Sequence, residues 1–294
     1  MVTKKERPKK ALLVGINEYA DPRVPQLRGC LNDVTNVLHV LKTYFGFQNR
    51  DVRVLTDTMA TTAAIEREMN WLLADAHAGA VRLFHFSGHG SQVPDAGGEE
   101  SDGYDEVLCP YDVDWNSGRY ITDDKLGELL NRADRRAHIE LVFDCCHSGT
   151  ATRAMPAVTE RWEPLGDVGV LQARYLPPPL GVQLRWDGAE QDALRVRRLR
   201  RMLPKPPHVL WAAAKDSQQS ADAIIDGRAA GAFTYYFCKH LRAAEGKQTR
   251  AELLKRVRAS LRAGRFGHIP QLDAPAEVTK SNVFELPRGR IVGS

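Results

Sequence analysis

Two short runs hold side chains that could do covalent chemistry together. The first is Ser87-Gly88-His89-Gly90. The second is Asp144-Cys145-Cys146-His147-Ser148-Gly149. A cysteine with a histidine beside it is a nucleophile–base pair. The imidazole takes the thiol proton, or stabilises the thiolate, and later protonates a leaving amine. The flanking glycines let a bound chain come close and free backbone N–H groups for an anion. Taken alone, a cysteine at a strand end is more often a small buried hydrophobe, and a His-Gly turn is more often structural. The two together, each with its glycines, argue for a site. His85, His89, Cys145, Cys146 and His147 are also zinc-ligand types. Their spacing fits no C-x-x-C or H-x-x-x-H pattern, and adjacent ligands are geometrically poor.

The elements that must position these runs follow from hydrophobic patterning. Ala11–Ile16, Val52–Leu55, Val81–Phe86 and Ile139–Phe143 read as buried strands. Leu31, Val34, Leu38 and Leu41 recur at helical spacing and predict a helix from Gly29 to about Tyr44. Thr61-Thr62 with Glu66 offers N-cap chemistry for a second helix, expected to end at Gly79. Thr122-Asp123-Asp124 caps a third, through about Arg132. A strand over His208–Ala214 and helices over Gly231–Leu241 and Arg250–Leu261 complete the pattern. Strands alternating with helices predict a mostly parallel sheet covered on both faces. Both reactive runs follow strands, so they meet at the carboxyl edge of the sheet, where ligands bind in such folds.

The 294 residues are 43% hydrophobic and 27% charged, which excludes wholesale disorder. A net charge of +4 is too small to argue for nucleic acid. No apolar run approaches the ~20 residues that span a bilayer, so no membrane association is expected. The charged N-terminus lacks the pattern of a signal peptide. Five cysteines, two of them adjacent, read as reduced thiols, which points to a cytoplasmic location. Between Thr150 and Pro207 lie eight of the 16 prolines, and a basic run from Arg195 to Lys205. That stretch reads as a linker or excursion rather than core.

In the order and spacing of these residues the chain resembles the metacaspases and their bacterial relatives, the orthocaspases. The resemblance starts at Ala11-Leu12-Leu13-Val14-Gly15-Ile16-Asn17 and runs through Leu27-Arg28-Gly29-Cys30-Leu31-Asn32-Asp33-Val34. It takes in the His89 and Cys146 runs, Asp102-Gly103-Tyr104-Asp105-Glu106 and Ile121-Thr122-Asp123-Asp124. It resumes at Ala212-Ala213-Ala214-Lys215-Asp216, Gly231-Ala232-Phe233-Thr234 and Pro270-Gln271-Leu272. His89 precedes Cys146 by 57 positions, comparable to the ~50 of caspases. The resemblance implies a caspase-like three-layer α/β/α sandwich with a mostly parallel central sheet. A basic tail (1–9) would lead into a large region (10–149), the linker (150–207), a small region (208–286) and a C-terminal tail (287–294), together one domain.

The same resemblance implies a cysteine-type endopeptidase, with His89 as the catalytic histidine and Cys146 as the nucleophile. Gly90 and Cys146 would supply oxyanion N–H groups, Cys145 would point to the other side of the strand, and His147 would be structural. Asp33, Asp144, Ser87 and Cys30 would line the pocket for the residue before the cut. Two carboxylates there bind a cationic side chain by charge-assisted hydrogen bonds, which predicts cleavage after Arg or Lys and not after Asp. For Asp33 alone, a carboxylate at a helix N-terminus is the simpler reading. Many metacaspases use calcium, and Asp105, Asp123 and Asp124 match three of its ligand positions. Arg153 stands where a fourth carboxylate is expected, which weakens a hard-cation site; Glu99, Glu100 or Asp102 could compensate. Asp123-Asp124 also reads as a simple helix cap. No organic cofactor is implied. Polypeptides are the expected partners, self-processing is expected between Thr150 and Pro207, and a monomer is expected. A catalytically weak caspase-fold scaffold is the alternative, and an Asn-cutting relative is disfavoured by Asp33 and Asp144.

Overall fold

The computed structural model describes residues 8–94, 104–146, 169–183, 208–215 and 218–285. Glu99, Glu100, Asp102, His147, Arg153, the basic run from Arg195 to Lys205 and nearly all of both tails lie outside them.

The long apolar runs become the central sheet. Strands β1 (Lys9–Gly15), β2 (Val52–Thr56), β3 (Val81–Ser87), β7 (His138–Asp144), β9 (His208–Ala212) and β12 (Gln271–Asp273) form six strands in the order β12-β9-β7-β3-β1-β2. All pairings are parallel except β12 with β9. All seven residues of β3 and of β7 are buried. That is why both read as continuous apolar runs instead of alternating ones.

Helices cover both faces. The first core cluster, on one face, includes Phe84, Phe86, Leu141 and Phe143 with Ile65, Met69 and Leu72 of α2 (Thr62–Leu73) and Leu126 and Leu129 of α3 (Asp123–Leu130). The second includes Leu13, Leu83, Val142 and Trp211 with Val34 and Val37 of α1 (Cys30–Tyr44), Phe233 and Phe237 of α4 (Ala232–Ala243), and Leu253 and Val257 of α5 (Arg250–Ala263). Each fully buried Leu or Phe contributes roughly 1.5–3 kcal/mol relative to exposure. The result is the expected three-layer α/β/α sandwich. A small antiparallel sheet, β4 (Gly90–Pro94), β5 (Tyr104–Leu108) and β6 (Ile121–Thr122), flanks one end.

Two expectations change. Helix α2 does not reach Gly79 but stops at Leu73: Ala74 leaves the helix at ψ 135°, and Asp75 follows at a left-handed φ of 57°. The stretch after Thr150 is not only linker. Gly169–Ala173 forms strand β8, which pairs antiparallel with β10 (Ala221–Ile225); β10 in turn pairs with β11 (Arg228–Gly231). The residue after β8, Arg174, is completely buried.

Candidate active site

Three parallel strands end in register. Gly15 pairs with Ser87, and Ser87 pairs with Asp144. His89 follows Ser87 by two residues and Cys146 follows Asp144 by two, so both land on the carboxyl edge of the sheet, as the strand order requires. A Cβ on Gly90 would run into the carbonyl oxygen of Cys146. Glycine at 90 is therefore what lets the two loops touch.

His89 is held at three points. Its backbone N–H donates to the Tyr19 hydroxyl at 2.8 Å, and its ring lies 5.2 Å from the Tyr19 ring centroid. Its Nε2 lies 2.8 Å from the carbonyl oxygen of Pro25. A carbonyl only accepts, so Nε2 carries the ring proton and Nδ1 keeps its lone pair. Nδ1 is buried with no hydrogen-bond partner among the described residues. Burial lowers the His89 pKa to about 4, the Arg174 guanidinium adds to this, and the Pro25 and Arg174 carbonyls oppose it. Cys146 is 1% exposed, and burial pushes its thiol up to about 12 despite the Ser220 N–H donated to its sulfur. Both groups rest neutral at pH 7. Cys145 faces away, into the core cluster of α2 and α3.

Beside them is an acidic pocket. Asp33, in the first turn of α1, Asp144, at the end of β7, and Ser87 come together, all at 0% exposure. Cys30 is buried in the same wall, and burial pushes its thiol far up while Arg174 opposes. A third carboxylate was not foreseen. Asp222 of β10 accepts the backbone N–H groups of Arg28 and Gly29 at 2.8 and 2.9 Å and faces the same space.

The pocket is filled by the chain's own Arg174. One terminal nitrogen donates to Asp33 at 2.9 Å and Asp222 at 2.9 Å. The other donates to Ser87 Oγ at 2.7 Å and the Asp144 carbonyl at 3.1 Å, and lies 3.4 Å from the Asp144 carboxylate. Burial pushes the Asp33 carboxyl up to about 7, the neighbouring Asp144 adds to the rise, and the Arg174 charge only partly offsets it. At Asp144 burial also pushes up, but Arg174, the Ser220 hydroxyl and the Thr234 N–H outweigh it and hold its pKa down. Gly231 forms the back wall. A Cβ there would collide with the Asp144 carboxylate and come within 2.5 Å of the Arg174 guanidinium.

The backbone of Arg174 is gripped as well. Its N–H donates to the Ser220 carbonyl at 3.1 Å. Its carbonyl oxygen accepts from Gly90 N–H at 3.0 Å and Cys146 N–H at 3.2 Å. Those are the two N–H groups expected to hold an oxyanion. The chain thus crosses the cleft with an arginine side chain in the acidic pocket and that residue's carbonyl on the two donors.

The expected calcium ligands lie near the small antiparallel sheet. Asp105 lies on β5, and Asp123 and Asp124 form the first turn of α3 under the Thr122 cap. Asp105 and Asp124 line a pocket with Glu128, but also with Lys125. Among the described residues no three His, Cys, Asp or Glu side chains are grouped so as to hold a metal ion. Three carboxylates and one lysine line that pocket, and no step below is routed through a cation.

Sequence reasoning missed Arg174, Asp222, Ser220, Tyr19 and the Pro25 carbonyl. The short apolar run Gly169–Ala173 ahead of Arg174 was the available signal for the strand.

Residues 9–155 match the profile of the metacaspase, peptidase C14 domain. The chain is 36% identical over 287 residues to metacaspase-1B of Neosartorya fischeri, spanning 90% of this chain and 68% of that one. It is 35% identical over 288 residues to metacaspase-1A of Aspergillus terreus, spanning 90% and 70%. Among solved structures it is similar to protein GSU0716 of Geobacter sulfurreducens, with a TM-score of 0.67 at 22% identity over 94% of this chain and 98% of that one. Caspase-1 of Spodoptera frugiperda gives a TM-score of 0.52 at 13% identity over 91% and 86%. These two likenesses concern the fold. No helix among the described residues is long and apolar enough to cross a membrane.

Proposed function

The chain belongs to the metacaspase family of cysteine-type peptidases, and from that premise we propose an endopeptidase that cuts polypeptides after arginine or lysine through a Cys146–His89 dyad, its own Arg174–Tyr175 bond included. One observation carries the reading: a buried arginine sits among three carboxylates while its carbonyl oxygen lies on two backbone N–H groups.

The chemistry follows from the parts. Cys146 turns from Ser220 towards the free lone pair of His89 Nδ1, which takes the thiol proton. The sulfur adds to the Arg174 carbonyl carbon. The oxygen gains the negative charge between the Gly90 and Cys146 N–H groups, donors already aimed at it. The C–N bond breaks, His89 gives its proton to the departing Tyr175 amine, and water then releases the Arg174 carboxylate and frees the sulfur. Pro25 holds the ring tautomer throughout. With the strand in place the cleft is closed to other polypeptides, so the uncut chain is latent. A guanidinium matches the pocket on both terminal nitrogens, whereas a lysine ammonium presents one, so arginine is preferred.

The test is hydrolysis of fluorogenic peptides ending in Arg, Lys, Asn or Asp, with Cys146→Ala as the blank, in calcium and in chelator. Arg is expected fastest, Lys slower, and Asn and Asp unhydrolysed, with all turnover lost in the variant. Turnover after Asp, or turnover surviving in the variant, would overturn the reading.

A further inference from the structure

The segment that crosses the cleft continues past Tyr175. Gln172, Ala173 and Tyr175 stay partly exposed, whereas Arg174 and Leu176 are buried, Leu176 at 6% exposure. The N–H of Leu176 donates to the Gly90 carbonyl at 2.9 Å, and Tyr175 makes a parallel bridge with Gly90. The N–H of the same Gly90 holds the Arg174 carbonyl at 3.0 Å. One residue therefore fixes the chain on both sides of the bond between 174 and 175. The Leu176 side chain enters the apolar cluster that includes Val93, Val107, Leu108, Cys109 and Cys145. It lies there beside the small antiparallel sheet, away from the carboxylates that hold Arg174.

Resting on the endopeptidase reading above, we propose that the cleft has a second recognition subsite. It is an apolar socket that takes a large aliphatic side chain two residues after the cut, as it takes Leu176 in the uncut chain. Substrates are then read at two separated points, a cation before the bond and an aliphatic residue beyond it. Tyr175, between them, is half-buried beside Ser91 and bridges Gly90 through its backbone. An acidic or small residue at the second position leaves the socket unfilled or buries a charge there.

The test uses the full-length chain and internally quenched peptides copying residues 171–178, with Leu176→Met, Leu176→Ser and Leu176→Asp versions. Beside them runs a short reporter whose fluorophore directly follows Arg. The expected result is kcat/KM at least tenfold higher for the Leu and Met peptides than for the Ser and Asp ones, carried mainly by KM. Cleavage of the Leu peptide with a silent short reporter would support the socket further. Peptide rates within twofold of one another, with the short reporter hydrolysed, would overturn the socket and leave the endopeptidase reading standing. Silence on every substrate would overturn both.

Discussion

Among the described residues two arginines are wholly buried among acids, and they are balanced differently. Arg250, the first residue of α5, is paired with one carboxylate, Glu140 in the middle of β7. Its remaining donors go to the carbonyls of Val278 and Asn282, the Ser281 hydroxyl and His138, and Glu140 also accepts from Trp211. Burial pushes the Glu140 carboxyl up, but the Arg250 charge and His138 outweigh it and hold it at about 2. Arg174 instead faces three carboxylates, and Asp33 is driven up to about 7. One site is a charge-matched clamp that ties β7 to the C-terminal helices. The other has an excess of negative charge that a single guanidinium does not neutralise. Such an excess is unfavourable when empty and suits a cation that arrives and leaves, which is what a substrate does.

The contrast can be broken at the clamp first. Glu140→Ala leaves the Arg250 charge buried and unpaired, a loss of about 3–5 kcal/mol, read by denaturant unfolding. The KM for an Arg reporter in the molecules that stay folded is expected to hold within twofold. At the pocket the pattern inverts. Asp144→Asn is expected to lower kcat/KM for Arg reporters by ~100-fold, about 2.7 kcal/mol, while unfolding with the strand displaced moves far less. A sharper version keeps the charge and changes its shape. Arg174→Lys is expected to slow self-cleavage about tenfold, because an ammonium cannot reach both sides of the fork; the rate is read by intact mass.

Acid separates the two sites further. Glu140 has a folded pKa below its unfolded value, so its contribution to stability is present above pH 4.5 and is lost as pH falls towards about 2. Asp33 has the opposite sign. Its folded pKa lies above the unfolded value, so the folded chain holds a proton that the unfolded chain releases; stability falls as pH rises from 3.8 to about 7 and levels off above that. As that proton leaves, the pocket attracts arginine more strongly. The value of about 7 belongs to the pocket holding Arg174, whose charge lowers it, so the vacated pocket titrates higher and the KM for Arg reporters is expected to fall severalfold as pH rises above 7. A flat KM would place the proton elsewhere.

The fold was legible because its central strands are buried on both faces and so read as plain apolar runs; β3 and β7 show this most clearly. Much of the acidic pocket was legible too, since Asp33, Ser87 and Asp144 sit at element ends that the motifs mark. Asp222 was not. It meets Arg28 and Gly29 across 194 and 193 residues of chain, and no local pattern announces that contact. Arg174 was hidden by its surroundings, where prolines and further arginines make one buried arginine look like exposed linker. Burial of a charge is a tertiary fact, decided here by carboxylates from α1, β7 and β10 together.

The most direct test of Arg174 as the enzyme's own substrate is a time course of intact mass on the purified chain beside Cys146→Ala. Two fragments are expected, one ending at Arg174 and one beginning at Tyr175, with the variant unchanged. A first cut at any other bond, or an active chain that stays whole, would contradict it.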